Sequence, residues 1–174
     1  TVDTNSHYFY SGGEGGKLKK WNSKTKKLCT DYGHAHGNAT ILSIAISRDF
    51  MFTGDGVGRL KCWSVMPDTH SSDEKPLIAV NLSLFSLNCV KDFGPVHAGG
   101  IEATEISHNG QWLFTTDHNG FLKQWCLGDE IRMYKNYGNV MGGAISSIAI
   151  TPDDRFLYLT NEEGNMKKLD IKSE

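Results

Sequence analysis

YSGGEGGKLKKW (10–21), FTGDGVGRLKCW (52–63), FTTDHNGFLKQW (114–125) and YLTNEEGNMKKL (158–169) are four copies of one twelve-residue pattern, each with glycine seventh, an apolar residue ninth and lysine tenth. Units of this kind cannot bury an apolar face alone and fold by stacking on their neighbours. The closing residues Trp21, Trp63, Trp125 and Leu169 lie 42, 62 and 44 residues apart, so two gaps share a length and the middle one carries an insertion. Between the copies, Asp31-Tyr32-Gly33, Asp92-Phe93-Gly94 and Asn136-Tyr137-Gly138 each precede an apolar stretch, namely ILSIAIS (41–47), IEATEIS (101–107) and ISSIAIT (145–151). These stretches are short, rich in β-branched residues and bounded by turn residues, which predicts strands.

One unit therefore reads as a first strand over 41–47, a second ending near Thr53, a tight turn through Gly58, a third strand ending at Trp63 and a fourth running into the aromatic-glycine signal. The turn glycines Gly16, Gly58, Gly120 and Gly164 follow from hairpin geometry, since a turn that twists with its strands needs positive φ. The chain is predicted to be all-β, a row of four-stranded antiparallel meanders.

A tryptophan that closes the third strand after a glycine turn, with a histidine upstream of the first strand, resembles the WD40 repeat family. The resemblance covers nearly the whole chain and implies a β-propeller of four-stranded blades. It departs from the family after the tryptophan, where Asn22, Ser64 and Cys126 stand in place of aspartate and Asp170 follows a leucine. About four blades are expected, over 1–33, 34–94 with an insertion at 66–85, 95–138 and 139–174. Aligning 3–11 with 107–115 puts Thr1 and Val2 at the end of a first strand, and the other terminus stops after a third strand. An incomplete ring is expected, continued by further sequence or by a second copy, with a closed four-bladed ring as the alternative.

The resemblance also implies an internal hydrogen-bond network linking a His before the first strand, a Ser or Thr in the second, an Asp in the tight turn and the Trp. His36, Thr53 and Trp63 fill three places in one blade, His97, Thr115 and Trp125 in the next, and Ser11 and Trp21 two in the first. With the acid at the sixth pattern position, the residues are Gly15, Val57, Asn119 and Glu163, and the network closes only where Asn119 accepts from His97. The last blade, with Met141, Leu159 and Leu169, is expected to have exchanged the network for packing, because a half-satisfied buried network costs more than apolar contact.

A net charge of -2 gives no global electrostatic case for nucleic acid or membrane, and no apolar run reaches the roughly 20 residues of a membrane helix. Cys29, Cys62, Cys89 and Cys126 lack CxxC spacing and read as buried free thiols of a reducing compartment. The sequons at Asn38 and Asn81 are the contrary hint. GGEGGKL (12–18) has Ser11 where a phosphate loop needs its first glycine and Leu18 where it needs Ser or Thr, and GDGVG (54–58) has the wrong spacing for a dinucleotide site. His34 and His36 form an HxH pair of the kind that ligates metals from loops. Since His36 aligns with His97 as a structural residue, His34 is left alone and exposed, and His118 reads as a solvated turn residue. No nucleophile, base and orienting acid recur together, so no catalysis, cofactor or metal is expected.

Two features depart from the repeat. The lysines at 17, 19, 20, 24, 26 and 27 form a stripe without an acid, read either as a charged edge that prevents strand pairing or as a patch for an acidic protein tail, anionic lipid headgroups or RNA. The insertion begins as a polar segment framed by Pro67 and Pro76 and continues as the alternating apolar stretch 77–85, which suits an extra edge strand or a docking segment. The function expected from the resemblance is a non-catalytic scaffold that presents loops to other proteins. Its docking face is the one with the turns between second and third strands, carrying His34, Arg59, Glu102, His118 and Phe121. Cytoplasmic residence is expected, with the nucleus and the cytoskeleton as alternatives.

Overall fold

A computed structural model describes residues 7–65 and 87–172 of the chain. The readings of 66–85, of the Asn81 sequon and of Thr1 and Val2 lie outside the described residues. The strands are β1 (Tyr8–Gly12), β2 (Lys17–Asn22), β3 (Leu28–His34), β4 (Ile41–Ile46), β5 (Phe50–Asp55), β6 (Arg59–Ser64), β7 (Asn88–Pro95), β8 (Ile101–Ile106), β9 (Trp112–Asp117), β10 (Phe121–Leu127), β11 (Ile131–Asn139), β12 (Ile145–Ile150), β13 (Phe156–Asn161) and β14 (Met166–Asp170). A single 3-10 turn, Glu14–Gly16, joins β1 to β2. They form four antiparallel meanders, β1-β2-β3, β4-β5-β6-β7, β8-β9-β10-β11 and β12-β13-β14, hydrogen-bonded in chain order. The ring is not closed.

The blades stack because each presents one apolar flank forward and another backward. Between the first and second, Tyr10 and Leu18 meet Ile41, Met51 and Trp63. Between the second and third, Phe52, Leu60 and Cys62 meet Ile101, Leu113 and Trp125, and between the third and fourth, Phe114 and Leu122 meet Ile145, Leu157 and Leu159. Hydroxyl bonds cross the same seams, with Ser43 Oγ donating to the Ile101 carbonyl at 2.9 Å and Thr116 Oγ1 to that of Ile145 at 3.4 Å. Close approach also fixes residue types. A Cβ on Gly54 would lie 2.6 Å from the Ile101 Cβ, so nothing larger than glycine fits between these blades.

The repeated glycine and lysine each have a physical cause beyond the turn. Gly58 has φ 78°, and a Cβ there would fall 2.1 Å from the His97 carbonyl oxygen, so the position excludes side chains twice over. The lysine grips the connection entering its blade. Lys61 Nζ donates to the Ala35 carbonyl at 3.0 Å, Lys167 Nζ to that of Val140 at 3.0 Å, and Lys123 Nζ to that of Val96. In the first blade Lys19 instead meets the Asp31 carboxylate at 3.4 Å. Lys123→Met is therefore expected to cost about 1–2 kcal/mol in urea unfolding, as a lost charge-assisted bond to a part-buried carbonyl. Lys19→Met, which breaks a solvated pair, should cost less than about 0.5 kcal/mol.

The Asp-Tyr-Gly, Asp-Phe-Gly and Asn-Tyr-Gly signals are turns within the fourth strands. In each, the first side chain accepts the glycine N–H at 2.9 Å, while Gly33, Gly94 and Gly138 take φ of 64°, 68° and 73°. The Gly33 N–H holds the exposed Asp31 carboxyl below its usual range. Burial pushes the Asp92 carboxyl upward, but the Gly94 N–H and the Lys61 ammonium outweigh it and leave it lowered.

Candidate functional site

Each second strand runs two residues further than the sequence predicts, to Asp55 and Asp117, and this changes the network. The acid stands fourth in the pattern, at Gly13, Asp55, Asp117 and Asn161, where the sixth position had been expected. In the second blade His36 Nδ1 lies 2.8 Å from Asp55 Oδ2, His36 Nε2 lies 2.6 Å from Thr53 Oγ1, and Trp63 Nε1 donates to Thr53 Oγ1 at 2.8 Å. In the third blade the same contacts join His97 to Asp117 at 3.0 Å, His97 to Thr115 at 2.8 Å, and Trp125 to Thr115 at 3.0 Å. Asn119 is not the partner of His97. Its place in the turn is two residues beyond the acid, and its backbone N–H donates to Asp117 Oδ1.

The proton positions follow from the donors. Indole N–H can only donate, so the threonine oxygen accepts from tryptophan and turns its own hydrogen to the histidine Nε2. Nδ1 then carries the imidazole proton and donates it to the aspartate. Burial drives the pKa of both histidines below the ordinary value, against the opposing pull of Asp55 and Asp117, which fits a neutral ring in this chain of donors.

The other carboxylate oxygen shapes the surface. Asp55 Oδ1 accepts the N–H groups of Val57 and Arg59 at 3.0 and 2.9 Å, and Asp117 Oδ1 those of Asn119 and Phe121 at 3.0 and 2.9 Å. One buried acid thus ties the turn between second and third strands to the connection that carries the histidine. The side chains projecting from these turns are in solvent, with Val57 58% exposed, Phe121 37% exposed and Arg59 exposed.

The end blades keep parts of the arrangement. Trp21 Nε1 donates to Ser11 Oγ at 2.9 Å, with Gly13 in the acid's place. In the last blade Leu159 is fully buried and Met141 and Leu169 pack beside it, but Asn161 remains polar and its Oδ1 accepts the Asn165 N–H at 2.9 Å. The exchange for packing stops short of the turn.

Of the surface residues expected to dock partners, Glu102 and His118 come together, with His118 Nδ1 3.3 Å from Glu102 Oε1. His118 also lines a cleft of about 420 Å³ with Asn119, Asn161, Glu162 and Glu163. Arg59 and Phe121 open the third strands of adjacent blades, while His34 ends β3 and places Nδ1 2.5 Å from the Gly15 carbonyl oxygen. His34 is exposed, yet it is not alone. Sequence reasoning missed Asp55 and Asp117, although aspartate or asparagine at the fourth position of three copies was a visible signal. It also missed the exposed Leu42, which nothing in the pattern marks.

Two further expectations change. Cys29 and Cys89 are exposed, because fourth strands form the outer edge of each blade, and only Cys62 is buried. Burial pushes the Cys62 thiol up to about 12. Among the lysine stripe, Lys19 is paired and Lys20 stands 3.9 Å from the Tyr8 ring centroid, whereas Lys24, Lys26 and Lys27 project from the turn closed by Asn22. Among the described residues no group of three metal-ligating side chains converges, and no helix is long and apolar enough to cross a membrane.

Residues 87–126 match the family model for the WD domain, G-beta repeat. The matched stretch runs from β7 into β10, so the repeat begins on the outer strand of one blade and ends on the third strand of the next. The chain carries a WD40 repeat, and its sheets are blades of the WD40 type. No curated protein matches the chain. At the general level, a WD40 repeat implies a protein-interaction scaffold, and its family is generally non-catalytic.

Proposed function

We propose that this chain is a non-catalytic scaffold whose docking face is the side carrying the turns between second and third strands. The observation that supports it is the double use of Asp55 and Asp117. Each holds a turn from beneath while Arg59, Val57 or Phe121 stands in solvent above, so the recognition surface is ordered before a partner arrives and less entropy is lost on binding. An exposed aromatic and an arginine on such turns are the residue types that most often anchor interfaces. The lysine stripe supports an anionic lipid or RNA reading less well, since Lys19 and Lys20 are already engaged.

Affinity capture with the full chain and with an Arg59→Glu, Phe121→Ala variant tests the reading. Proteins retained by the first should be lost from the second, by about tenfold or more, at unchanged thermal midpoint. Equal recovery with both would refute the face. Loss only on reversing Lys24, Lys26 and Lys27, with steep salt dependence, would favour the anionic partner instead.

A further inference from the structure

The fourth blade ends its second strand on an amide, Asn161, where the two blades before it end theirs on an acid. In those blades one carboxylate oxygen caps the turn and the other meets a histidine, His36 on Asp55 and His97 on Asp117. Asn161 keeps the first half of that arrangement, its Oδ1 accepting the Asn165 N–H at 2.9 Å. Because a backbone N–H can only donate, this bond fixes which end of the amide is oxygen, and Nδ2 takes the position from which the two aspartates reach their histidines. The histidine's place is filled by Met141, whose thioether is at best a weak acceptor. Asn161 is only 6% exposed, and its Nδ2 has no acceptor among the described residues. Among those residues only Thr104 Oγ1 is both sealed from solvent and unpartnered, so Nδ2 opens on the cleft that Asn161 lines.

That cleft lies on the turn side, at the seam of the third and fourth blades. The turn after β9 brings His118 and Asn119 to it, the turn after β13 brings Glu162 and Glu163, and Gly142 and Gly143 add a stretch without side chains. A Cβ on either glycine would meet nothing within 4 Å, so the space beside them is open. The lining is acidic. Glu162 and Glu163 are both exposed, and Glu163 Oε2 accepts only the neutral Asn165 amide at 3.0 Å. Neither meets a cation among the described residues, and no lysine or arginine lines the cleft. Lys167 on the same blade has its ammonium on the Val140 carbonyl, and His118 turns Nδ1 toward Glu102.

Two demands define the occupant. Asn161 Nδ2 needs an acceptor, since a buried donor left unmade is costly, and Glu162 and Glu163 oppose a negatively charged one. The acceptor is therefore a neutral carbonyl, and any charge beside it is positive. A cleft of about 420 Å³ is within the range of about 300–1,000 Å³ for ligand sites. It is far larger than a bare ion, for which no three ligating side chains converge among the described residues. We infer that this cleft takes a basic linear segment of a partner protein. A main-chain carbonyl of the segment accepts from Asn161, and the lysine or arginine beside it lies against Glu162 and Glu163. The cleft belongs to the turn side, so the inference rests on that side being the docking face and adds the partner's chemistry at one seam.

Random peptides displayed on phage and selected on the full chain provide the test. Selected peptides should share a lysine or arginine, and their binding should weaken with added salt. It should fall by about tenfold or more in the Glu162→Gln, Glu163→Gln variant, which removes charge, keeps shape and should leave the thermal midpoint unchanged. It should fall as far in Asn161→Asp, which keeps the turn's acceptor but exchanges the donor for an oxygen that repels a carbonyl. The inference is overturned if no peptide is selected, if the peptides lack a basic residue, or if either cleft variant binds them as the parent does. Peptides lost in Arg59→Glu, Phe121→Ala yet retained by the cleft variants would keep the turn side as docking face and overturn the cleft alone. Peptides indifferent to both sets of changes would overturn the two together. A mass that doubles with concentration in the parent but not in the glutamine variant would assign the cleft to a second copy and overturn the inference equally.

Discussion

Replacing Asp117 with alanine is expected to lower the free energy of unfolding by about 3–4 kcal/mol, the largest effect of any single change outside the apolar seams. The substitution leaves the buried Nδ1–H of His97 without an acceptor and frees two turn N–H groups, those of Asn119 and Phe121. Each orphaned buried donor costs about 1–3 kcal/mol, and more where its partner was charged. Asp117→Asn should cost about half as much, because an amide oxygen can still cap the turn, as Asn161 does in the last blade. Urea unfolding of the two variants beside the parent decides the matter. A loss below about 1 kcal/mol for the alanine variant would show that the carboxylate is not holding the blade together.

The second large effect is a loss of stability on mild acidification. His36 and His97 have folded-state pKa values lowered by burial, so below the ordinary histidine value the unfolded chain binds protons that the folded protein refuses. Their contribution is complete above about pH 6.5 and is lost as pH falls from there toward the depressed folded values, at up to about 1.4 kcal/mol per pH unit for each ring. Asp31, Asp92 and Asp153, all lowered, act in a separate and more acidic window, below the ordinary carboxylate value. Glu105, raised by burial, works the other way, since its protonation on acidification relieves the folded state. Urea midpoints should therefore hold nearly level from pH 7.5 to about 6.5 and drop below that, and a profile that stays flat or rises below about pH 6.5 would count against neutral buried rings.

The order of strands and the seams were legible because both depend on a period that the residues state outright. Gly16, Gly58, Gly120 and Gly164 mark the turns, and the closing tryptophans mark where each backward flank lies. The acid was misplaced for an equally physical reason. Counting from the turn glycine put it inside the turn, whereas Asp55 and Asp117 end their strands and reach over the turn from below. The exposure of Cys29 and Cys89 was hidden because fourth strands pack on one side only, which a run of mixed residues does not reveal.

The lysine that grips each incoming connection gives the molecule two unequal sides. On one, the turns between second and third strands and the connections between blades are tied together by Asp55 and His36, Asp117 and His97, and Lys61, Lys123 and Lys167, so their lengths hardly vary. On the other, the links from third to fourth strands over 23–27 and 128–130 answer to no such tie among the described residues, and the sequence between Ser64 and Asn88 is the long member of the set. Extending a link of that kind costs only the slow logarithm of loop closure. The chain can therefore carry extra sequence on one side without disturbing the other, and the long link between Ser64 and Asn88 stands on that side.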